Sequence, residues 1–196
     1  MLDKSIPYVG LYMRRPAGTP VAAFPLTEGY SFTLYKSGDE SSWARLETSV
    51  LEFDSEFAAL MYFKGDFMAY PDELSKRCLF IENAQGDKVA TATAWWHDVY
   101  GERRPWLHWV SVDPRYQGLG LGRALTARVT ELMLDLDGDA DFYLHTQTWS
   151  HRAINIYVSN GYRPTDEKAL YKNNKSNYKK AMKILKEKRL LMGETL

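Results

Sequence analysis

A short glycine-rich stretch is the part of the chain whose residue types and spacing are best suited to chemistry. Residues 117–124 read Gln-Gly-Leu-Gly-Leu-Gly-Arg-Ala, after an apolar run at 106–112 and before an amphipathic run that extends to Leu136. The first turn of a helix offers free backbone N–H groups and the positive end of the helix dipole, and glycines let a phosphate approach the backbone closely. A strand, a glycine turn and a helix start in this order predict a site for a phosphate-bearing cofactor.

Three cofactor patterns can be compared with these glycines. A Walker A loop requires Gly-Lys-Ser or Gly-Lys-Thr, but Gly122 is followed by Arg-Ala. A dinucleotide-binding turn requires G-x-G-x-x-G, and neither the frame from Gly118 nor the frame from Gly120 ends on a glycine. Gln117, Gly120 and Gly122 do satisfy the pattern Q/R-x-x-G-x-G/A. With this pattern the chain resembles the GNAT N-acetyltransferases, which bind acetyl-CoA through it.

A second stretch, at residues 150–162, carries the same resemblance. It matches the family's short helix with Ala153 and Tyr157, which is followed after three residues by Gly161-Tyr162. The family usually has Asn where Ser150 stands. Together the two motifs cover residues 106–162. The resemblance implies an α/β chain with the GNAT acyl-CoA N-acyltransferase fold, in which helices flank a central mixed β-sheet.

The resemblance also implies which residues contact acetyl-CoA as co-substrate. Backbone groups near the end of the strand at 106–112 would polarise the thioester carbonyl, and the glycine turn would hold the pyrophosphate. The cofactor-binding residues expected on this basis are Val110, Ser111, Val112, Gln117, Gly118, Leu119, Gly120, Leu121, Gly122, Arg123, Ser150, Ala153 and Tyr157.

Acetyl transfer to an amine requires a proton donor for the departing thiolate. A free thiol has a pKa near 8.5 and a tyrosine hydroxyl a pKa near 10, so a tyrosine beside the sulfur can supply that proton. The resemblance places Tyr157 in this catalytic role. The alternative is an aromatic ring that only packs its helix onto the sheet.

The amine must also lose a proton, and His108 is the catalytic base that we predict. Strand alternation places His108 on one face with Val110 and Val112, and Leu107, Trp109 and Ser111 on the other face. The alternative is a histidine packed within the sheet. The fallback bases lie in the segment before the strand, which reads as a loop: His97, Asp98 and Glu102.

These residues predict an N-acetyltransferase that moves an acetyl group directly from acetyl-CoA to a primary amine, on a small molecule or a peptide. The alternative is a non-catalytic acyl-CoA-binding sensor or interaction module of the same fold. Tryptophans in the central strands, if they line the acceptor site, favour an apolar or aromatic amine.

No Cys/His cluster has zinc spacing, so no metal is expected. No nucleic acid or membrane partner is expected, and a homodimer is expected only by analogy with relatives.

Hydrophobic periodicity predicts the elements around these motifs. Strands are expected at 8–13, 30–35, 78–82, 88–96, 106–112 and 142–147. Helices are expected from Glu40, with Trp43, Leu46 and Val50 on one side, then at 55–67, after the glycines to Leu136, and around Tyr157. Pro71 is read as a break between elements. The resemblance implies two more strands after Gly161, for which 169–171 is the candidate.

The whole chain is expected to form one domain, because 196 residues can build a substantial core. Residues 1–171 carry 17 Lys and Arg against 23 Asp and Glu, and residues 172–196 carry 8 against 2. We therefore predict a GNAT domain at 1–171 and a basic C-terminal helix at 172–196, packed on the domain or extending from it. A cytoplasmic location is expected, because only Cys78 is present and no apolar run reaches about 18 residues.

Overall fold

The computed structural model describes residues 2–168, 170 and 174–191 of the chain. The strands are β1 (Gly10–Arg15), β2 (Tyr30–Leu34), β3 (Cys78–Asn83), β4 (Lys88–Val99), β5 (Glu102–Val112), β6 (Phe142–Gln147) and β7 (Arg163–Pro164). The α-helices are α1 (Glu40–Ser49), α2 (Glu56–Asp66), α3 (Pro71–Arg77), α4 (Leu121–Asp137), α5 (His151–Ser159) and α6 (Asn174–Glu187).

One mixed sheet organises the molecule, in the strand order β2-β3-β4-β5-β6-β1-β7. All neighbouring strands are antiparallel except β5 and β6, which run parallel. A parallel pair needs a long crossover, and α4 supplies it. The expected mixed α/β sheet flanked by helices is confirmed.

Two apolar clusters lie against the sheet. In one of them, Leu125 and Val129 of α4 pack with Ala92 of β4 and with residues of α5 and α6. In the other, Trp43 of α1 and Phe63 of α2 are fully buried with residues of α3 and the sheet. The sheet is therefore covered by helices on both faces, and its central strands are shielded from water.

The early helices form where the apolar spacing and the capping residues predict them. Trp43, Leu46 and Val50 are all buried along α1. The Ser55 side chain caps α2 by accepting a hydrogen bond from the Ala58 backbone N–H at 3.2 Å. Both helices agree with the sequence prediction to within a residue or two.

Two segments differ from the prediction. Pro71 begins α3 rather than ending a pattern, because a proline at the first helical position loses no hydrogen bond. The segment 97–105 was expected to be a loop, but it extends β4 and β5 into a longer hairpin. Tyr100 and Gly101 turn this hairpin with φ of 54° and 83°, as a two-residue primed turn requires.

The N-terminal strand, β1, lies second from one edge of the sheet. β1 pairs with β6 on one side and with the short β7 on the other. After Gly161, β7 is the one strand among the described residues, and the candidate at 169–171 lies largely outside them. α6 packs Ala181 and Leu185 into the core that β1 borders. No helix within the described ranges is long and apolar enough to cross a membrane.

Candidate active site

A gap between the two parallel strands forms the site. Among the described residues, β5 and β6 pair only at Trp106 and Tyr143, although β5 continues to Val112 and β6 to Gln147. Beyond that point the strands diverge, and two cavities that share lining residues lie along the gap. The backbone groups of the β5 edge that faces this gap are left free of strand pairing.

A β-bulge at Trp109 sets the direction of the β5 side chains. Thr93 of β4 pairs with His108 and Thr91 pairs with Ser111, so one β4 residue faces two on β5, and Trp109 has a φ of 51°. Directly opposed residues share a face of the sheet, and Thr93 lies on the face of Trp95, which packs against Phe67.

The predicted alternation along β5 is therefore correct for residues 109–112 and wrong for His108 and Leu107. His108 lies on the face of Trp109 and Ser111, towards α1 and α2, whereas Val110 and Val112 pack with the cluster that contains α4. An extra residue in the strand shifts the period of two by one, and the composition of the strand does not reveal it.

The larger cavity has a volume of 470 Å³ and is lined by the glycine turn, the end of β5 and the first turns of α5. Every residue expected to contact acetyl-CoA lines it except Leu119, which is 45% exposed and whose carbonyl accepts a hydrogen bond from Thr27. The structure thus brings the two sequence motifs to one cavity. Leu119 lies outside its lining.

The glycine turn has the geometry that an anion site needs. Gly118 and Gly120 have φ of 86° and 80°, a region that favours glycine, and no side chain caps α4 at Gly120. A Cβ on Gly122 would lie 3.0 Å from Ile156 Cδ1, so its absence allows α4 to approach α5. The Gln117 side chain holds the turn by donating to the Val112 carbonyl at 2.9 Å. The first N–H groups of α4 are therefore left for a ligand.

The smaller cavity has a volume of 310 Å³ and lies towards α1, α2 and the β4–β5 hairpin. Tyr157 lines both cavities, together with Glu52, Val110, Ser111, Ser150 and Ala153. Burial raises the pKa of Tyr157 above its ordinary value, so its hydroxyl keeps its proton at neutral pH. The junction of the two cavities holds a protonated phenol.

His108 lines the smaller cavity, and its Nε2 is buried without a hydrogen-bond partner among the described residues. Desolvation, with smaller contributions from His97 and His145, lowers the pKa of His108 to about 3. The imidazole is therefore neutral at physiological pH, and it is a weak acceptor for a proton from an ammonium group.

The fallback bases differ in where the structure places them. The His97 ring lies 4.7 Å from the His108 ring, centroid to centroid, and His97 lines the smaller cavity. Asp98 and Glu102 line neither cavity, because they sit near the turn of the extended hairpin. Of the tryptophans, Trp106 and Trp109 line the smaller cavity. Within the described ranges, no group of three or more His, Cys, Asp or Glu residues is arranged to hold a metal ion.

Sequence reasoning missed a buried carboxylate, Glu47, which also lines the smaller cavity. Glu47 is fully buried, and its Oε2 accepts a hydrogen bond from Ser111 Oγ at 2.7 Å. Burial, and to a smaller extent Glu52, raises the pKa of Glu47 to about 8. A signal existed in the sequence, because Glu47 follows Trp43 by four residues and precedes Val50 by three, which places a charge on the apolar stripe of α1.

Comparisons with known proteins agree with this geometry. The model of the Acetyltransferase (GNAT) family matches residues 41–162. An uncharacterized protein of Mycobacterium leprae is 29% identical over 157 residues, which are 80% of this chain and 40% of that protein.

Two solved structures have a similar fold. The GCN5-related N-acetyltransferase from Sphaerobacter thermophilus has a TM-score of 0.63 at 18% identity, over 82% of this chain and 49% of that one. The acetyltransferase of the GNAT family from Colwellia psychrerythraea has a TM-score of 0.58 at 11% identity, over 84% of this chain and 55% of that one. The chain therefore spans about half the length, or less, of these relatives.

Proposed function

Because the chain belongs to the GNAT acetyltransferase family, we propose that it transfers an acetyl group from acetyl-CoA to a primary amine. The transfer is direct, without a covalent acyl-enzyme. The observation that carries this proposal is the junction of the two cavities at Tyr157. One cavity has the features of an anion site at a helix start, and the other is a separate compartment in which an amine can meet the thioester.

The residues of the larger cavity fit acetyl-CoA. The uncapped start of α4 and the backbone of Gly118 and Gly120 would hold the pyrophosphate. Arg123 lines the cavity beside them and adds a positive charge. The pantetheine arm would lie in the gap between β5 and β6, where the free backbone groups of β5 offer strand-like hydrogen bonds. Acetyl-CoA supplies the activated acetyl group.

Tyr157 serves as the proton donor in this proposal. Its hydroxyl is protonated at neutral pH and lies where the two cavities meet. Burial raises the pKa of the phenol and would also raise the pKa of a thiol in the same site, because the charged form of each group loses solvation. The raised pKa of Tyr157 therefore does not by itself prevent proton transfer to the leaving sulfur.

Amine-dependent thiol release tests the proposal. We expect the protein to release CoA from acetyl-CoA in the presence of suitable amines, and Tyr157→Phe to lower kcat by about 100-fold, the usual contribution of a general acid. Tyr162→Phe is the matched control, because Tyr162 is buried nearby but lines neither cavity. Binding of acetyl-CoA with no release of CoA from any amine would instead support the binding-module alternative.

A further inference from the structure

Carboxyl groups and imidazoles line the smaller cavity. Its described lining includes the carboxylates Glu47 and Glu52 and the imidazoles His97, His108 and His145, and it includes no lysine or arginine. Desolvation lowers the pKa of all three histidines, so none of them carries a compensating charge at neutral pH. Burial raises the pKa of both glutamates, so a bound cation would favour their ionised forms, whereas an anion would find no cationic partner in the described lining.

Glu47 leaves one carboxylate oxygen without a hydrogen bond. Ser111 Oγ donates to Oε2, but Oε1 is buried and has no partner among the described residues. A buried polar atom without a hydrogen-bond partner destabilises the folded state, and more strongly when the atom is charged. A donor brought by a ligand would satisfy it. Nε2 of His108, in the same cavity, is also buried and has no hydrogen-bond partner among the described residues.

Aromatic rings form the rest of the wall. The Trp109 and Tyr62 rings lie 5.0 Å apart at a steep angle, and Trp106 lines the cavity with them. Such faces take up apolar chains and attract cations. The volume of 310 Å³ is at the lower end of the roughly 300–1,000 Å³ that small-molecule pockets occupy, so a compact ligand fits better than a peptide.

We infer that the acceptor is a compact primary amine without a carboxylate or phosphate group, and that Glu47 is the catalytic residue that takes the proton from its ammonium. The inference rests on the proposed function and adds to it a substrate class and a base. Glu52, an exposed residue that lines both cavities, is the second carboxyl group that can pair with the cation, and the aromatic walls hold the carbon chain.

The ammonium gives one proton to the ionised Glu47 carboxylate, and its nitrogen lone pair then forms the new C–N bond to the acetyl carbon. The C–S bond breaks with its electron pair going to sulfur, and the thiolate takes a proton from Tyr157. The nitrogen loses its second proton, which restores Tyr157. The products are the acetamide, CoA as the thiol, and one proton that leaves Glu47 to solvent.

Matched pairs of acceptors test the substrate class. An amine and the α-amino acid that differs from it only by a carboxylate have nearly the same shape: 2-phenylethylamine and phenylalanine, tryptamine and tryptophan, histamine and histidine, cadaverine and lysine. We expect at least one of these amines to be acetylated more than tenfold faster than its amino acid, measured as CoA release at equal concentration. Glu52→Lys should narrow the ratio of the two rates, because it puts a cation on the wall that the two cavities share.

The pH profile of a Glu47 variant tests the base. In the wild type, kcat/KM should rise with pH through about 8, as Glu47 ionises. The other titratable groups in its field are Glu52, the Cys78 thiol and Tyr157. Glu47→Gln should lower kcat by about 100-fold and remove this rise. Glu56→Gln, at an exposed position on α2 that lines neither cavity, is the matched control.

The outcomes separate this inference from the proposed function. CoA release that is as fast with the amino acids as with their amines, or a Glu47→Gln variant with wild-type kcat and pH profile, would overturn the inference while leaving an acetyltransferase. No CoA release with any acceptor, in protein that binds acetyl-CoA, would contradict the proposed function, and the inference would fall with it.

Discussion

Glu47 and His108 lie in one cavity, and burial moves their pKa values in opposite directions. Desolvation disfavours whichever form is charged, so it raises the pKa of Glu47 to about 8 and lowers that of His108 to about 3. Both groups are therefore mainly neutral in the empty site at pH 7. Of the two, only Glu47 gains a charge near physiological pH, and this makes it the better proton acceptor for an amine.

The raised pKa of Glu47 also predicts a pH-dependent stability. In the unfolded chain its pKa is close to the ordinary 4.5, so between that value and about 8 the folded protein holds a proton that the unfolded chain releases. The stabilisation is complete below about pH 4.5 and is lost as the pH rises through 8. Relative to Glu47→Gln, the wild-type free energy of unfolding should fall by roughly 4 kcal/mol between pH 5 and pH 9.

Urea denaturation at about pH 5, 7 and 9 measures this difference. The exposed Glu56→Gln variant should follow the wild type at every pH, because its carboxylate is solvated in both states. If the wild type and Glu47→Gln lost stability in parallel as the pH rose, Glu47 would not be a buried acid with a raised pKa.

At the scale of single residues, the sequence predicts those site residues that belong to a motif of fixed local spacing. The glycine turn and Tyr157 are found from motifs, and both line the larger cavity. Glu47 was not predicted as a site residue, although it interrupts an apolar stripe, because the sequence of a helix does not show which residues its buried face contacts. Its partner Ser111 is 64 residues away in the chain.

At the scale of elements, the helices and most strands follow from periodicity, and the departures have local causes. The bulge at Trp109 moves His108 to the other face of β5, and a turn of two residues with positive φ extends the hairpin before it. The place of β1 between β6 and β7 depends on pairing between distant segments, and periodicity carries no information about it.

The start of α4 allows a direct test of its role. Gly120→Ala, at a position where φ is 80°, should lower the free energy of unfolding by about 1–2 kcal/mol. It should also weaken acetyl-CoA binding by tenfold or more, because relief of the strain would point the backbone N–H groups away from the phosphates. Calorimetric titration and thermal unfolding measure the two effects. Gly86→Ala, with φ of 84° in the β3–β4 turn and outside both cavities, should cost similar stability and leave the affinity unchanged. Equal affinity in both variants would exclude the turn from binding.

At the scale of the whole molecule, the two motifs lie in one continuous segment, and this is why the sequence alone predicts the proposed acetyl-CoA side of the site. The residues 106–162 that carry them include most of β5 and all of α4 and α5, which supply most of the lining of the larger cavity. The acceptor side also needs α1 and α2. Its chemistry becomes visible only when these distant helices are packed against β5.

Calorimetric titration of the purified protein with acetyl-CoA is the measurement to make first. We expect about one acetyl-CoA to bind per chain, at the larger cavity, and desulfo-CoA lacking the acetyl thioester to bind there as well, because the phosphates and the pantetheine arm make most of the contacts. Absence of binding, in folded protein free of co-purified CoA, would mean that the glycine turn holds no such ligand and would contradict the acetyltransferase proposal.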